Sequence, residues 1–241
     1  MPVILSPDEA SALNARFDRV DPAVVLAWAA ERFMPRLAAT SSFQTQSVPL
    51  LHLIGQVCPH VPVLFLDTGY HFPETLAFRD ELVARLGLTV QVVRPDAERA
   101  AAWHESLYRR DPDLCCYVHK VLPMQRALRD LDAWISGIRR DQTPKRAGAQ
   151  VVELLPQGEV KINPLASWTR EDVWHYIHRH NLPAHPLLAQ GYLSTGCAPC
   201  TVPALGGDER AGRWAGTGKT ECGLHTDALY RPPGLDGERG T

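Results

Sequence analysis

Apolar residues along the chain switch between two spacings. Over residues 6–39 they recur at the 3.6-residue period of two helices. Ser6-Pro7-Asp8-Glu9 supplies a hydroxyl N-cap with proline at the first helical position. Asp21-Pro22 opens the second helix, whose Val24, Val25, Trp28 and Phe33 recur at helical spacing. Residues 37–40 lead into the polar run Ser41-Ser42-Phe43-Gln44-Thr45-Gln46-Ser47, and an apolar helical stretch follows over 48–57. Cys58-Pro59-His60 ends it. Residues 61–66 are continuously apolar, as in a strand buried on both faces, and stop at Asp67-Thr68-Gly69.

The alternation continues. The pattern predicts a helix over 73–86 with Gly87 as its stop signal, a strand over 88–93, a helix over 125–134 and a strand over 134–138 ending at Arg139-Arg140. Two short strands over 151–156 and 160–163 flank a Gln157-Gly158 turn, and Thr169 caps a helix running to residue 178. Alternating strands and helices imply an α/β fold with a mostly parallel, doubly wound sheet. Ligands of such folds sit at the carboxyl ends of the strands. Three polar segments fall there: Ser41-Ser42, Asp67-Thr68-Gly69 and residues 137–140. Residues 1–200 read as a single domain. Residues 201–241, rich in glycine, proline and charge, read as a mobile tail that orders on docking.

Composition narrows the partners. A chain of 241 residues, 45% hydrophobic and 22% charged, suits one sizeable globular domain. Its net charge of −2 offers no basic field for nucleic acid. No apolar run approaches the roughly 20 residues that span a bilayer, and the early acidic residues Asp8 and Glu9 are unlike a signal peptide. A cytoplasmic protein is expected. In that reducing compartment, six cysteines point to metal binding or catalysis.

The cysteines divide into groups. Cys115-Cys116 and Cys197-Ala198-Pro199-Cys200 together provide four soft ligands, open to a tetrahedral zinc or to an iron–sulfur cluster. The tandem pair crowds two thiolates on one backbone turn, which a cluster with separate iron corners accommodates better than a single ion. Lys120, four residues after Cys116, falls on the same helical face, where it offsets thiolate charge and can reach a bound anion. Cys222 lies in the tail as a free thiol, with His225 and Lys219 placed to favour its thiolate and Glu221 to oppose it. Ser41-Ser42 can hold a phosphate at a helix N-terminus. Arg139-Arg140, Lys145-Arg146 and Arg210-x-x-Arg213 suit a small polyanion better than a nucleic acid. His175, His178, His180 and His185 belong to an ordinary amphipathic stretch rather than a zinc site, and Cys58 at a helix end is structural.

Taken together, the residues resemble the assimilatory adenylyl-sulfate reductases, the iron–sulfur branch of the phosphoadenylyl-sulfate reductase family. The similarity runs over about residues 37–226. It is carried by Thr40-Ser41-Ser42-Phe43, by Leu66-Asp67-Thr68-Gly69-Tyr70-His71-Phe72-Pro73-Glu74-Thr75 and by Cys115-Cys116-x-x-x-Lys120-x-x-Pro123. Further matches are Trp134-Ile135-Ser136-Gly137-Ile138-Arg139-Arg140-Asp141-Gln142, Gly196-Cys197-Ala198-Pro199-Cys200-Thr201 and Glu209-Arg210-Ala211-Gly212-Arg213-Trp214. Glu221-Cys222-Gly223-Leu224-His225 completes the set. The chain departs from the pattern at Phe43-Gln44-Thr45-Gln46-Ser47, which lacks the usual glycine and acids, and at Val202, where arginine is common.

The resemblance implies an adenine-nucleotide α-hydrolase-like fold related to the ATP pyrophosphatases. It implies a [4Fe-4S] cluster on Cys115, Cys116, Cys197 and Cys200. It also implies a thioredoxin-dependent reduction of adenylyl sulfate to sulfite and AMP through an S-sulfocysteine on Cys222. Lys120 and His225 would join Cys222 in catalysis. Ser41, Ser42, Leu66, Gly137, Arg139, Arg146, Arg210 and Arg213 would surround the nucleotide and its phosphosulfate. Thioredoxin or a glutaredoxin-like dithiol would be the reductant, and a homo-oligomer is compatible. The nearest alternative is reduction of 3′-phosphoadenylyl sulfate, alone or as a second substrate. An ATP-dependent adenylating or thiolating enzyme would want a Ser-Gly-Gly-x-Asp-Ser type of loop, which residues 41–47 do not provide. A zinc-stapled binding module is the non-enzymatic rival.

Overall fold

A computed structural model describes residues 3–97, 107–156, 158–204 and 208–225. Six strands form one sheet in the order β3-β2-β1-β4-β6-β5. They are β1 (Leu37–Thr40), β2 (Val63–Leu66), β3 (Val90–Val93), β4 (Ala133–Ile135), β5 (Val152–Leu154) and β6 (Val160–Ile162). All pairings are parallel except that of edge strand β5 with β6. The chain winds outward from β1 to β3, then returns and lays β4 on the other side of β1. That reversal makes a topological switch point between β1 and β4, where such sheets open a ligand crevice.

Period-two alternation divides the central strands between two cores. Leu37, Ala39, Val63, Phe65, Ala133 and Ile135 join a large core that also takes in Phe17, Leu26 and Ile54. These come from α1 (Pro7–Phe17), α2 (Pro22–Phe33) and α3 (Val48–Val57). Ala38, Leu64 and Trp134 point the opposite way, onto Val121, Met124 and Leu128. Both faces of the sheet are therefore covered. Helix α4 (Pro73–Leu86) ends where Gly87 adopts φ +65°, as a left-handed C-cap requires.

The segment carrying the tandem cysteines departs from expectation. Asp111 accepts a hydrogen bond from the Leu114 N–H and caps the short helix α5 (Pro112–Cys116). A π-helical turn follows over Tyr117–Val121, its ladder closing from the Leu122 N–H to the Tyr117 carbonyl. Helix α6 then spans Leu122–Leu128, so the predicted helix over 125–134 is shifted toward the N-terminus. The β1 ladder explains why: Ala133–Ile135 must pair with Leu37–Ala39, so the chain has to turn right after Leu128. Strand β4 accordingly stops at Ile135 rather than residue 138. Helix α7 (Arg170–Arg179) begins at a capping box in which Thr169 and Asp172 serve each other's backbone N–H.

Residues 208–225 lie docked across the carboxyl edge of the sheet. The Trp214 N–H donates to the Cys200 carbonyl at 2.9 Å, and Val202 to the Gly212 carbonyl at 2.9 Å. Residues 226–241 of the expected tail lie outside the described residues. Among the described residues no helix is long and apolar enough to cross a membrane.

Candidate active site

The crevice at the switch point is a cleft of about 1110 Å³, part of it open to solvent. Its floor comes from strand ends. Ser41 and Ser42 follow β1, Leu66 closes β2 and Gly137 follows β4, and all four line it. Phe43 is fully buried at φ +52°, and its ring meets Phe65 edge-on at 5.6 Å. The Ser41 hydroxyl accepts the Phe43 N–H at 3.0 Å, which tightens this turn. Gln44 ties the turn to a distant segment, its Oε1 accepting from the Ser194 hydroxyl and the Thr195 N–H.

Four cations from three chain segments reach the cleft: Lys120, Arg146, Arg210 and Arg213. Arg213 donates to the Thr195 carbonyl at 3.0 Å. A Cβ added to Gly196 would lie 2.3 Å from that guanidinium, so a side chain there would push the arginine out of this position. Arg139 is not on the cleft wall. It is 1% exposed and spends its guanidinium on Gln46, Asp141 and Glu209, which makes it a brace for the loop after β1. Arg140 is likewise engaged, with Asp18 and the Ala149 carbonyl, and Lys145 is exposed.

Cys222 and His225 complete the wall. Gly223, at φ +92°, makes the turn that presents them, a conformation costly for any side chain bearing a Cβ. Burial opposes ionisation of the Cys222 thiol. Lys120, the Leu224 backbone N–H, Arg146 and Arg213 outweigh it, and the pKa falls below the ordinary value. The residues that sequence neighbourhood assigned to this task do other things. Burial, then Arg146, Lys161 and Arg210, hold His225 well below the usual imidazole range, so it is neutral. It stacks on Trp134 at 5.7 Å with its Nδ1 unpartnered. Lys219 pairs with Asp113. Glu221 turns away from its neighbour and is tied by Arg146 and Thr143.

Beside the cleft, Cys115, Cys116, Cys197 and Cys200 line a second, small cavity. Lys120 lines both. The C-x-x-C segment is anchored by the Ala198 N–H on the Tyr70 carbonyl at 2.7 Å and by a bridge between His71 and Cys197. The Thr68 hydroxyl lies 3.4 Å from the Cys197 sulfur. Burial and the neighbouring thiols push Cys115 up to about 12, and burial pushes Cys116 up to about 11 against the pull of Lys120. Cys200 rises for the same reasons, burial foremost. Lys120 is buried too, but Cys197, Cys116 and Cys222 more than repay its lost hydration and raise its pKa. Such a set of crowded, soft sulfurs fits a cationic centre. Sequence reasoning gave no role to His119, which lines this cavity, or to Gln44 and Gln46, whose side chains tie the loop after β1 to distant segments.

The other histidines are dispersed. His185 is buried against Thr75 and Phe78, His178 lies by Trp174, and His180 stacks on Tyr176. Cys58 is fully buried at the end of α3.

Comparison with known proteins gives one consistent answer. Residues 36–203 match the phosphoadenosine phosphosulfate reductase domain. An adenosine 5′-phosphosulfate reductase of Streptomyces coelicolor is 48% identical over 206 residues, covering 83% of this chain and 86% of that protein. A phosphoadenosine 5′-phosphosulfate reductase of Gloeobacter violaceus is 44% identical over 88% of this chain and 92% of that one. Among solved structures, the phosphoadenylyl-sulfate reductase of Candida auris in a phosphate complex superposes with a TM-score of 0.74 at 31% identity. It covers 84% of this chain and all of that one. A U34-tRNA thiolase from Methanococcus maripaludis, solved with its [4Fe-4S] cluster, shares the fold at a TM-score of 0.52 and 12% identity over 74% of this chain and 66% of that one. The sheet is thus of the adenine-nucleotide α-hydrolase-like kind. With most of its length matched and its cleft at the switch point of that sheet, the chain belongs to the phosphoadenosine phosphosulfate reductase family.

Proposed function

We propose that the chain is an oxidoreductase that reduces adenylyl sulfate to sulfite and AMP for sulfate assimilation. The observation that carries this is the meeting of an acidified thiol, Cys222, with Lys120, Arg146 and Arg213 in the cleft at the switch point of the sheet. The Cys222 thiolate attacks the sulfate sulfur, the bond from sulfur to the phosphate oxygen breaks, and AMP leaves with the electron pair. Cys222 is left as an S-sulfonate. Lys120 and the arginines stabilise the charge that develops on the departing phosphate. His225, neutral and with a free Nδ1, hydrogen-bonds the substrate without adding charge. A partner dithiol then attacks the Cys222 sulfur, expels sulfite and resolves the mixed disulfide with its second thiol. That dithiol supplies both electrons. Thioredoxin or a glutaredoxin-like protein suits the role, and such chemistry belongs in the cytoplasm.

Cys115, Cys116, Cys197 and Cys200 would hold a [4Fe-4S] cluster, which would supply a fixed charge beside Lys120. Among the described residues no three His, Cys, Asp or Glu side chains converge on a point fit for one ion. The four sulfurs line one cavity, and the tandem Cys115-Cys116 pair suits the separate iron corners of a cluster better than a single ion. The name of the Gloeobacter relative keeps 3′-phosphoadenylyl sulfate as a second reading.

The test is anaerobic. Incubated with adenylyl sulfate and no dithiol, the protein should gain one sulfonate on Cys222 by intact mass, and added thioredoxin should release it as sulfite. Cys222→Ser should lose both while retaining nucleotide and iron. Turnover by that variant would overturn the assignment. Sulfite release from each nucleotide in turn decides between the substrates.

A further inference from the structure

The acid beside the nucleophile sits where an acid is least expected. Glu221 is 6% exposed, and its carboxylate receives Arg146 Nε at 2.9 Å and Nη2 at 2.7 Å. The Thr143 hydroxyl donates at 2.9 Å, and Arg210 Nη2 approaches to 3.5 Å. Arg210 also donates to the neighbouring Thr220 carbonyl at 2.8 Å. Arg146 and Arg210 are two of the four cations lining the cleft. Each guanidinium is a fork built for a carboxylate or a phosphate, and it cannot serve both fully at once.

We propose that Glu221 is an internal stand-in for the ligand anion. It occupies Arg146 and Arg210 while the cleft lacks nucleotide, and so latches the Cys222 segment onto the body of the protein. The arriving phosphate takes those arginines, Glu221 lets go, and the segment is freed. Glu221 is thus a positioning residue whose hold opposes nucleotide binding. An anion on the chain and an anion on the ligand bid for the same donors, so each weakens the other by the same factor. The lower pKa of Glu221, kept down by Arg146 and Arg210 against its burial, is consistent with an ionised latch. This reading rests on the nucleotide function proposed above.

Two measurements on the full-length, cluster-loaded protein test it. The first is AMP affinity by calorimetry for wild type, Glu221→Gln and Glu221→Asp. Removing the charge frees both arginines, so Glu221→Gln should bind AMP about five- to tenfold more tightly, while Glu221→Asp stays near wild type. A residue that only props up the fold would weaken AMP binding, so unchanged or weaker binding overturns the proposal. The second measurement needs no variant. Hydrogen exchange of a peptide spanning 219–225 in the wild-type protein should speed up with AMP and stay unchanged with adenosine. Slower exchange with AMP would mean that the ligand closes the segment, and would also overturn it. If wild type binds no AMP at all, the nucleotide reading fails and the latch falls with it. If AMP binds normally but neither signature appears, only the latch is lost.

Discussion

Lys120 and Cys222 are far apart in sequence and meet in the cleft, where the lysine is the largest influence favouring the thiolate. Lys120→Gln should therefore raise the pH at which Cys222 becomes reactive, by about 1–3 units. The rate of alkylation by iodoacetamide against pH reads this out, and an unmoved profile would show that the lysine does not hold the thiolate. The residue types were legible in the sequence; their electrical roles were not. Thiols, guanidiniums and an ammonium announce their chemistry wherever they stand. Which cation serves which thiol depends on distances that only the fold sets. Neighbourhood along the chain pointed to His225 and Lys219, one of which is neutral and the other paired with Asp113. Arg139 and Arg146 look alike in sequence, yet one braces a loop and the other faces the cleft.

Elements whose signals are local came through well. Ser6, Asp21 and Thr169 all act as the N-caps their chemistry suggests, and Gly87 ends α4 in the left-handed conformation. The segment around Cys115 did not. A π turn has no period of its own in a hydrophobic pattern, and β4 is bounded by its ladder to β1 rather than by its composition. The capping box at α7 offers a prediction at this scale. Thr169→Ala removes the hydroxyl that accepts the Asp172 N–H and should cost about 1 kcal/mol of stability. The urea midpoint should fall, while sulfite release under native conditions stays unchanged, because α7 contributes nothing to the cleft wall.

For the whole molecule, buried imidazoles set the response to acid. Burial lowers the pKa of His52, His71, His119, His185 and His225, taking His185 to about 4. Between that value and the unfolded pKa near 6.5, the unfolded chain binds more protons than the folded one, so stability rises with pH. It should be complete above about pH 6.5 and fall on acidification, with His185 alone accounting for about 3 kcal/mol by pH 4. Urea midpoints measured from pH 4 to 7 should trace that slope, and a flat profile would contradict it. The doubly wound sheet was legible in the strand alternation, and its switch point fell where Ser41-Ser42 suggested. That residues 208–225 would roof the crevice followed from no periodicity, only from the contacts they make. Their docking has an electrical consequence. A polymer with a net charge of −2 folds so as to gather four cations into one crevice, sorting its charge much as a capacitor does. At physiological salt such a field dies away within about 8 Å. A passing nucleotide would feel almost nothing until it reached the mouth of the crevice, and a strong pull once there.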